Sequence, residues 1–187
     1  MQTILSFDIS STTIGYAVLQ IDNNQIKFVS CNYLNPKKEG SIISRLVDTR
    51  DKIQTIINNV KPNYIGIEQI VEFMKGKSTA KTIIMLTSFN RMISLLAYDY
   101  LKTEPGIFSV MSIRHALKQN KIFPKKEEIP ALVAAHLGVT FPWIYSKPRG
   151  KSPAKLIIEN YDMADAVAVG LYYAFLLTNK IKKKVKK

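Results

Sequence analysis

Tyr64-Ile65-Gly66-Ile67-Glu68 decides the fold. It is a short apolar run that closes on an acid. A helical pattern stands before it, with Ile42, Leu46, Ile53, Ile56, Ile57 and Val60 recurring at spacings near three and four from Ser41 onward. Lys61-Pro62-Asn63 stops that helix. A strand reached through a helix runs parallel to an earlier strand. The earlier strands are Thr3–Phe7, closed by Asp8, then Ile14–Ile21 and Ile26–Leu34. Gly15 and the cluster Ser10-Ser11-Thr12-Thr13 mark the first turn, and Asp22-Asn23-Asn24-Gln25 supplies hairpin-turn residues between the second and third strands. The opening is therefore an antiparallel meander of three strands, and residues 64–68 add a parallel strand to it.

The rest of the chain supplies helices. Ser78 can cap a long helix from about Thr79 to Lys102, apolar over more than one face and so buried on two sides. A partner subunit and a monomer core are equally good covers for the second side. Gly106–Met111 reads as a further strand, Ser112–Gln119 as a short helix and Glu127–Leu137 as a longer one, with Pro130 tolerable only near its start. Residues 139–159 read as a basic loop with Pro142, Pro148, Gly150 and Pro153. A last helix begins near Tyr161. The expected class is α/β, a mixed sheet flanked by helices.

The chain has 187 residues, 47% of them hydrophobic, enough for one domain with a full core. We expect that domain over residues 1–178 and a lysine-rich tail over 179–187. One cysteine, Cys31, excludes an internal disulfide framework and a cysteine zinc cluster. Asp8, Glu68, Arg91 and Asp99 interrupt the apolar runs, so no membrane span and no signal peptide are expected. A soluble, intracellular protein follows; cytoplasm, nucleus and organelle are not distinguished. Net charge is +13, and setting aside the six lysines of the tail leaves seven in the body. A polyanion, above all nucleic acid, is the expected partner.

Four acids stand out against this background. Asp8 and Glu68 each close an apolar strand, where a charge is costly unless paired or exposed. The carboxyl ends of neighbouring parallel strands are where open α/β sheets bind ligands. Asp162 and Asp165 lie one turn apart on one face at the start of the last helix. On its own that pair is either a helix-dipole acid beside a solvated one, or half of a metal site. Convergent carboxylates suit two-metal phosphoryl transfer, with the ions about 4 Å apart.

Three segments carry a resemblance. Phe7-Asp8-Ile9-Ser10-Ser11-Thr12-Thr13-Ile14-Gly15-Tyr16-Ala17-Val18, Pro62-Asn63-Tyr64-Ile65-Gly66-Ile67-Glu68-Gln69 and Asp162-Met163-Ala164-Asp165-Ala166 resemble RuvC-type Holliday junction resolvases. The likeness runs from about residue 3 to 177. It implies a ribonuclease H-like fold, a homodimer, and cutting of four-way DNA junctions with two Mg²⁺ ions per site, Mn²⁺ substituting. By that resemblance Asp8, Glu68, Asp162 and Asp165 are the metal-binding catalytic acids. The loop from Gln69 to Ser78, with Phe73 as a wedge between bases and Lys75 and Lys77 beside it, would meet the junction centre. The long helix after it would carry the dimer interface. Arg114, Lys118, Lys125 and Lys126 fall where the family contacts DNA, and Lys147, Arg149 and Lys151 extend the basic set.

Departures exist. Ile9-Ser10 stands where bacterial members usually have Pro-Gly, and the basic stretch from Pro142 to Ile158 is longer than theirs. His115 and His136 match no ligand position, and Cys31 reads as a core residue on a strand. Rival readings are a nuclease for flaps, forks or RNA–DNA hybrids, a DNA-binding protein without catalysis, and an actin-like or sugar-kinase-like ATPase fragment. The last lacks a second Gly-rich phosphate loop; the four acids do not separate the first from a junction resolvase.

Overall fold

The structure is a computed structural model that describes residues 1–70, 80–118, 122–148 and 153–178. Its centre is a five-stranded sheet in the order β3-β2-β1-β4-β5. β1 (Gln2–Ile9), β2 (Ile14–Asp22) and β3 (Gln25–Leu34) form the antiparallel meander. β4 (Tyr64–Glu68) and β5 (Gly106–Phe108) extend the sheet in parallel from β1. The expected mixed sheet is present. The β2–β3 turn is tighter than expected: Asn23 and Asn24 alone make it, both at positive φ (49° and 60°), so Asp22 and Gln25 pair as strand residues. Two consecutive left-handed residues give the turn whose twist matches a hairpin.

Helices cover both faces. α1 (Ile42–Val60) is capped by Ser41, whose Oγ accepts from the Ser44 N–H at 3.1 Å, and it ends at Lys61 in the left-handed region. α1 and α2 (Ala80–Leu101) bury Ile53, Ile57, Phe89 and Ile93 against Leu5, Phe7, Ile65 and Ile67. The opposite face holds α3 (Val110–Leu117), α4 (Ile129–Leu137) and α5 (Glu159–Leu177), which bury Ile113, Leu117, Val133 and Val167 with Ala17 and Leu19. No helix among the described residues is long and apolar enough to cross a membrane.

Two expected elements differ. β5 stops at Phe108, because the Ser109 hydroxyl caps α3 by accepting from the Ser112 N–H at 3.2 Å. Val110 and Met111 are therefore helical, and α3 ends at Leu117, while the expected end at Gln119 lies outside the described residues. The basic stretch after α4 is more than a loop. Tyr145 and Leu156 bridge as antiparallel partners, and the Ser146 N–H donates to the Lys155 carbonyl at 2.7 Å. Buried Asn160 in α5 pins this ribbon: its Nδ2 donates to the Ile144 and Ile157 carbonyls, and its Oδ1 accepts from the Ile144 N–H, each at 2.8 Å. Pro130 sits in the first turn of α4, as expected. The expected cap at Ser78 lies outside the described residues.

Strand alternation sorts the residues of β1 between the faces. Leu5, Phe7 and Ile9 join the core under α1 and α2. Ile4 packs with Ala174 of α5, and the Ser6 Oγ donates to the Ala166 carbonyl at 2.7 Å. Asp8 belongs to this second set. Its antiparallel partner is Gly15, and a Cβ there would collide with the backbone carbonyl of Asp162. The first turn of α5 thus rests directly on the strand backbone. Gly15→Ala should cost about 1–3 kcal/mol by overpacking against backbone that has no rotamer to yield. Thermal unfolding should then fall by about 4–10 °C, read by calorimetry; an unchanged midpoint would show that α5 can stand off from the sheet.

Candidate metal centre

Four acids from three distant segments of the chain meet at one end of the sheet. The β1–β4 register brings Phe7 opposite Ile67, so the next residues, Asp8 and Glu68, leave adjacent strands side by side. Both point to the face covered by α5, by the alternation that sends Phe7 and Ile67 the other way. α5 presents Asp162 in its first turn and Asp165 one turn further. One carboxylate oxygen from each of Asp8, Asp162 and Asp165 lies within 4.8 Å of the others. Glu68 is close enough that its charge is the largest of those acting on Asp8. Its backbone is steadied by buried Asn90 of α2, whose Nδ2 donates to the Glu68 carbonyl at 3.1 Å.

A cation sits against this cluster. Lys126, in the single 3-10 turn Lys126–Glu128 before α4, places its Nζ 3.1 Å from Asp162 Oδ1 and 3.4 Å from Asp165 Oδ2. The Asp162–Asp165 pair, left open by the sequence between a dipole acid and half a metal site, belongs to the larger cluster.

The electrostatics follow from crowding. Burial first, then the charges of Glu68, Asp165 and Asp162, holds the Asp8 carboxyl well above the usual carboxylate range. Glu68 is pushed up to about 7, by burial and then by Asp165, with Arg114 and Lys126 pulling the other way. Burial raises Asp165 as well, against the opposing pull of Lys126 and Arg114. Burial alone would lower the Lys126 ammonium, but Asp165 and Asp162 outweigh it and hold it protonated above its usual range. All-oxygen donors with no His or Cys among them suit a hard divalent cation such as Mg²⁺ or Mn²⁺. Bound there, such ions would supply water activation and leaving-oxygen stabilisation.

The expected DNA contacts divide. Arg114 lies in the last turn of α3 and Lys118 directly follows the helix, with Lys118 Nζ 3.0 Å from His115 Nε2. Lys125 and Lys147 are exposed. Lys126, expected as a DNA contact, bridges two of the acids in this structure. Phe73, Lys75, Lys77, Arg149 and Lys151 lie outside the described residues, as does the 179–187 tail. The departure after Asp8 leaves that acid in place: Ser10 Oγ accepts from the Thr13 N–H at 2.9 Å and donates to the Thr13 carbonyl at 2.7 Å, closing the turn. His136 packs edge-on against Phe175 at 5.7 Å, a structural role, and Cys31 is half-buried against the core.

A family model described as crossover junction endodeoxyribonuclease RuvC matches residues 4–138. The chain belongs to the RuvC family. That match includes Asp8 and Glu68 and stops short of Asp162 and Asp165. A RuvC crossover junction endodeoxyribonuclease of Fusobacterium nucleatum is 25% identical over 109 residues, 56% of this chain and 57% of that protein. One of Pseudothermotoga lettingae is 24% identical over 144 residues, 73% of this chain and 88% of that protein. The fold is also that of solved resolvases. Thermus thermophilus RuvC in complex with a Holliday junction substrate superposes with a TM-score of 0.69 at 15% identity, over 95% of each chain. The yeast mitochondrial Holliday junction resolvase superposes at 0.61 and 13% identity, over 91% of this chain and 77% of that one. The sheet is thus the ribonuclease H-like one that the RuvC resemblance implied, and the superpositions extend past residue 138 to the part of the fold that carries α5.

Sequence reasoning missed three residues of this centre. Gly15 was legible only as a turn marker, since its clash partner is 147 positions away in the chain. Nothing in the sequence aims Asn160 at Ile144, or Lys126 at Asp162 and Asp165.

The raised carboxyls make a signed prediction. A carboxyl whose folded pKa lies above its unfolded one favours the folded state at low pH, and that contribution is lost as pH rises through the folded value, near 7 for Glu68. Asp8→Asn should therefore raise the unfolding midpoint of the metal-free protein at pH 8, by on the order of 4 °C, and the gain should vanish toward pH 5. Calorimetry at the two pH values checks it; an equal gain at both would mean that like-charge crowding is not what strains the site.

Proposed function

We propose that this RuvC-family chain is a structure-selective endodeoxyribonuclease that resolves four-way DNA junctions by two-metal phosphodiester hydrolysis. The observation that carries the reading is the meeting of Asp8, Asp162 and Asp165 oxygens within 4.8 Å, with Glu68 beside them. Asp8, Glu68, Asp162 and Asp165 would hold two divalent ions, Mg²⁺ or Mn²⁺, which would supply water activation and leaving-oxygen stabilisation. The residues do the positioning. β1 and β4 fix Asp8 and Glu68 by strand register, and α5 fixes Asp162 and Asp165 through its contact with Gly15. Arg114, Lys118, Lys125 and Lys147 bind backbone phosphates at the rim, a salt-dependent contact that reads no sequence. Residues 1–178 act as one nuclease domain, and Phe73 of the 69–78 loop enters the junction centre.

The names of the relatives support the substrate: they are crossover junction endodeoxyribonucleases, and one solved neighbour is bound to a Holliday junction. Asp8→Asn or Asp165→Asn should lower cleavage of a four-way junction by at least about 100-fold, as expected when a charge-stabilising group is lost, while junction binding persists. A gel assay of four-way junction, fork, flap, duplex and RNA–DNA hybrid with Mg²⁺ or Mn²⁺ reads both points. Full nicking by either variant would sink metal catalysis at these acids, and preference for flaps or hybrids would sink the junction assignment.

Symmetric cutting needs two copies, and α2 offers a surface for them. Ile84 and Leu95 are 60% and 61% exposed and Tyr98 is 45% exposed, all along one side of that helix with Arg91 between them. The opposite side buries Met85, Phe89 and Ile93. A second copy of the chain is the proposed cover. Sedimentation at micromolar concentration should give a dimer for the native chain and a monomer for Leu95→Glu; a native monomer with and without DNA would refute the interface.

A further inference from the structure

We propose that Lys126 is a resident counter-ion of the metal centre: its ammonium occupies the mouth of the acid cluster in the metal-free protein and leaves when divalent cations enter. The inference rests on the metal-site reading above and adds a second state to it. Lys126 bridges Asp162 and Asp165 with a single Nζ, at 3.1 Å and 3.4 Å. Those two acids share with Asp8 the patch of oxygens that fits a cation. An ammonium and a metal ion therefore compete for the same two carboxylates. Among the described residues, no other lysine or arginine forms an ion pair with these acids.

The mounting suits a side chain that must move while its backbone stays. On one side the turn is anchored by Ile129 and Pro130, which are buried at the start of α4. On the other, the Lys125 N–H donates to Glu128 Oε2 at 2.7 Å and the Glu128 N–H to the Lys125 carbonyl at 3.1 Å. The Lys126 side chain itself is 46% exposed, so its flexible four-carbon stem can swing toward solvent without disturbing the core. By reciprocity, whatever the ammonium contributes to the metal-free site must be given up on metal binding, and metal binding weakens the ammonium's hold by the same factor. Release delivers a free ammonium to the basic rim only when the centre is loaded. The charge available to a phosphate backbone then increases with metal occupancy.

Two measurements on the full chain test this. In the first, calorimetric titration with Mg²⁺ compares the native chain with Lys126→Met, which keeps the stem and removes the charge, and Lys126→Arg, which keeps the charge. Lys126→Met should bind Mg²⁺ about ten-fold more tightly, and Lys126→Arg should stay near the native affinity. In the second, the rate of acetylation of Lys126 in the native chain is followed by mass spectrometry with and without saturating Mg²⁺, using Lys27 as an internal reference. Displacement predicts several-fold faster modification of Lys126 relative to Lys27 when Mg²⁺ is bound; a lysine that acted only through its distant field would show no change. An unchanged relative rate, in a chain that calorimetry shows to bind Mg²⁺, overturns the displacement and leaves the nuclease reading standing. Absence of Mg²⁺ binding at millimolar concentration, together with absence of cleavage, overturns both.

Discussion

The contact between the Asp162 backbone and Gly15 is the constraint on which the site depends. A helix can lie this close to a strand only where the strand has no side chain, and the missing side chain is the one directly across from Asp8. The approach is reinforced further along the same strand pair, where the Ser6 hydroxyl donates to the Ala166 carbonyl. Gly170 brings the helix close there too, since a Cβ on it would meet Ser6 and Leu19. Two glycines, one in the sheet and one in the helix, thus set the depth at which α5 docks. That depth places Asp162 and Asp165 within reach of Asp8.

The same closeness works against stability. Burial first, and then the like charges brought together there, raises the carboxyls of Asp8, Glu68 and Asp165, against the pull of Lys126. The fold holds this arrangement because the surrounding core is extensive. α5 buries Met163, Ala164, Val167, Val169 and Leu171, so the helix that carries two of the acids is also the most deeply packed one. Relief of the crowding would require moving a core helix. Lys126 supplies a local counter-charge instead, from a turn whose side chain is free enough to yield. Function stored as strain of this kind is a common reason that active sites fall short of maximal stability.

How much of this could be read in the sequence depends on the range of the interaction. The strands and their order along the chain were legible, because apolar runs bounded by turn residues such as Asn23-Asn24 are local signals. The parallel placement of Tyr64–Glu68 followed from the helix before it. Asp8 and Glu68 were legible as acids ending apolar strands, and Asp162 and Asp165 as a pair on one turn. The start of α3 was misplaced, because Val110 and Met111 favour a strand by composition while the Ser109 cap, a single hydroxyl, decides for helix. The pairing of residues 144–146 with 155–157 read as part of a loop because its order comes from Asn160, a lone polar residue buried by tertiary contacts. Lys126 was legible as one of the basic residues that fall where the family contacts DNA, since nothing within its own segment indicates that it faces two aspartates.

Lys126 also changes what the acid pair means. From the sequence alone, the Asp162–Asp165 pair stood open between a helix-dipole acid beside a solvated one and half of a metal site, which needs positive charge between the two. The ammonium already meets part of that need in the metal-free protein. A preformed acid cluster with a built-in monovalent counter-charge can fold before it is loaded, because its repulsion is partly screened from the start. A divalent ion can then displace a single positive charge by offering two, together with oxygen coordination that an ammonium cannot match. The cluster therefore need not wait for metal to form, and its geometry is set by strand register and glycine contacts that metal does not touch. By the displacement proposed above, what metal would alter is the occupant of the mouth, and with it the charge offered to a phosphate backbone.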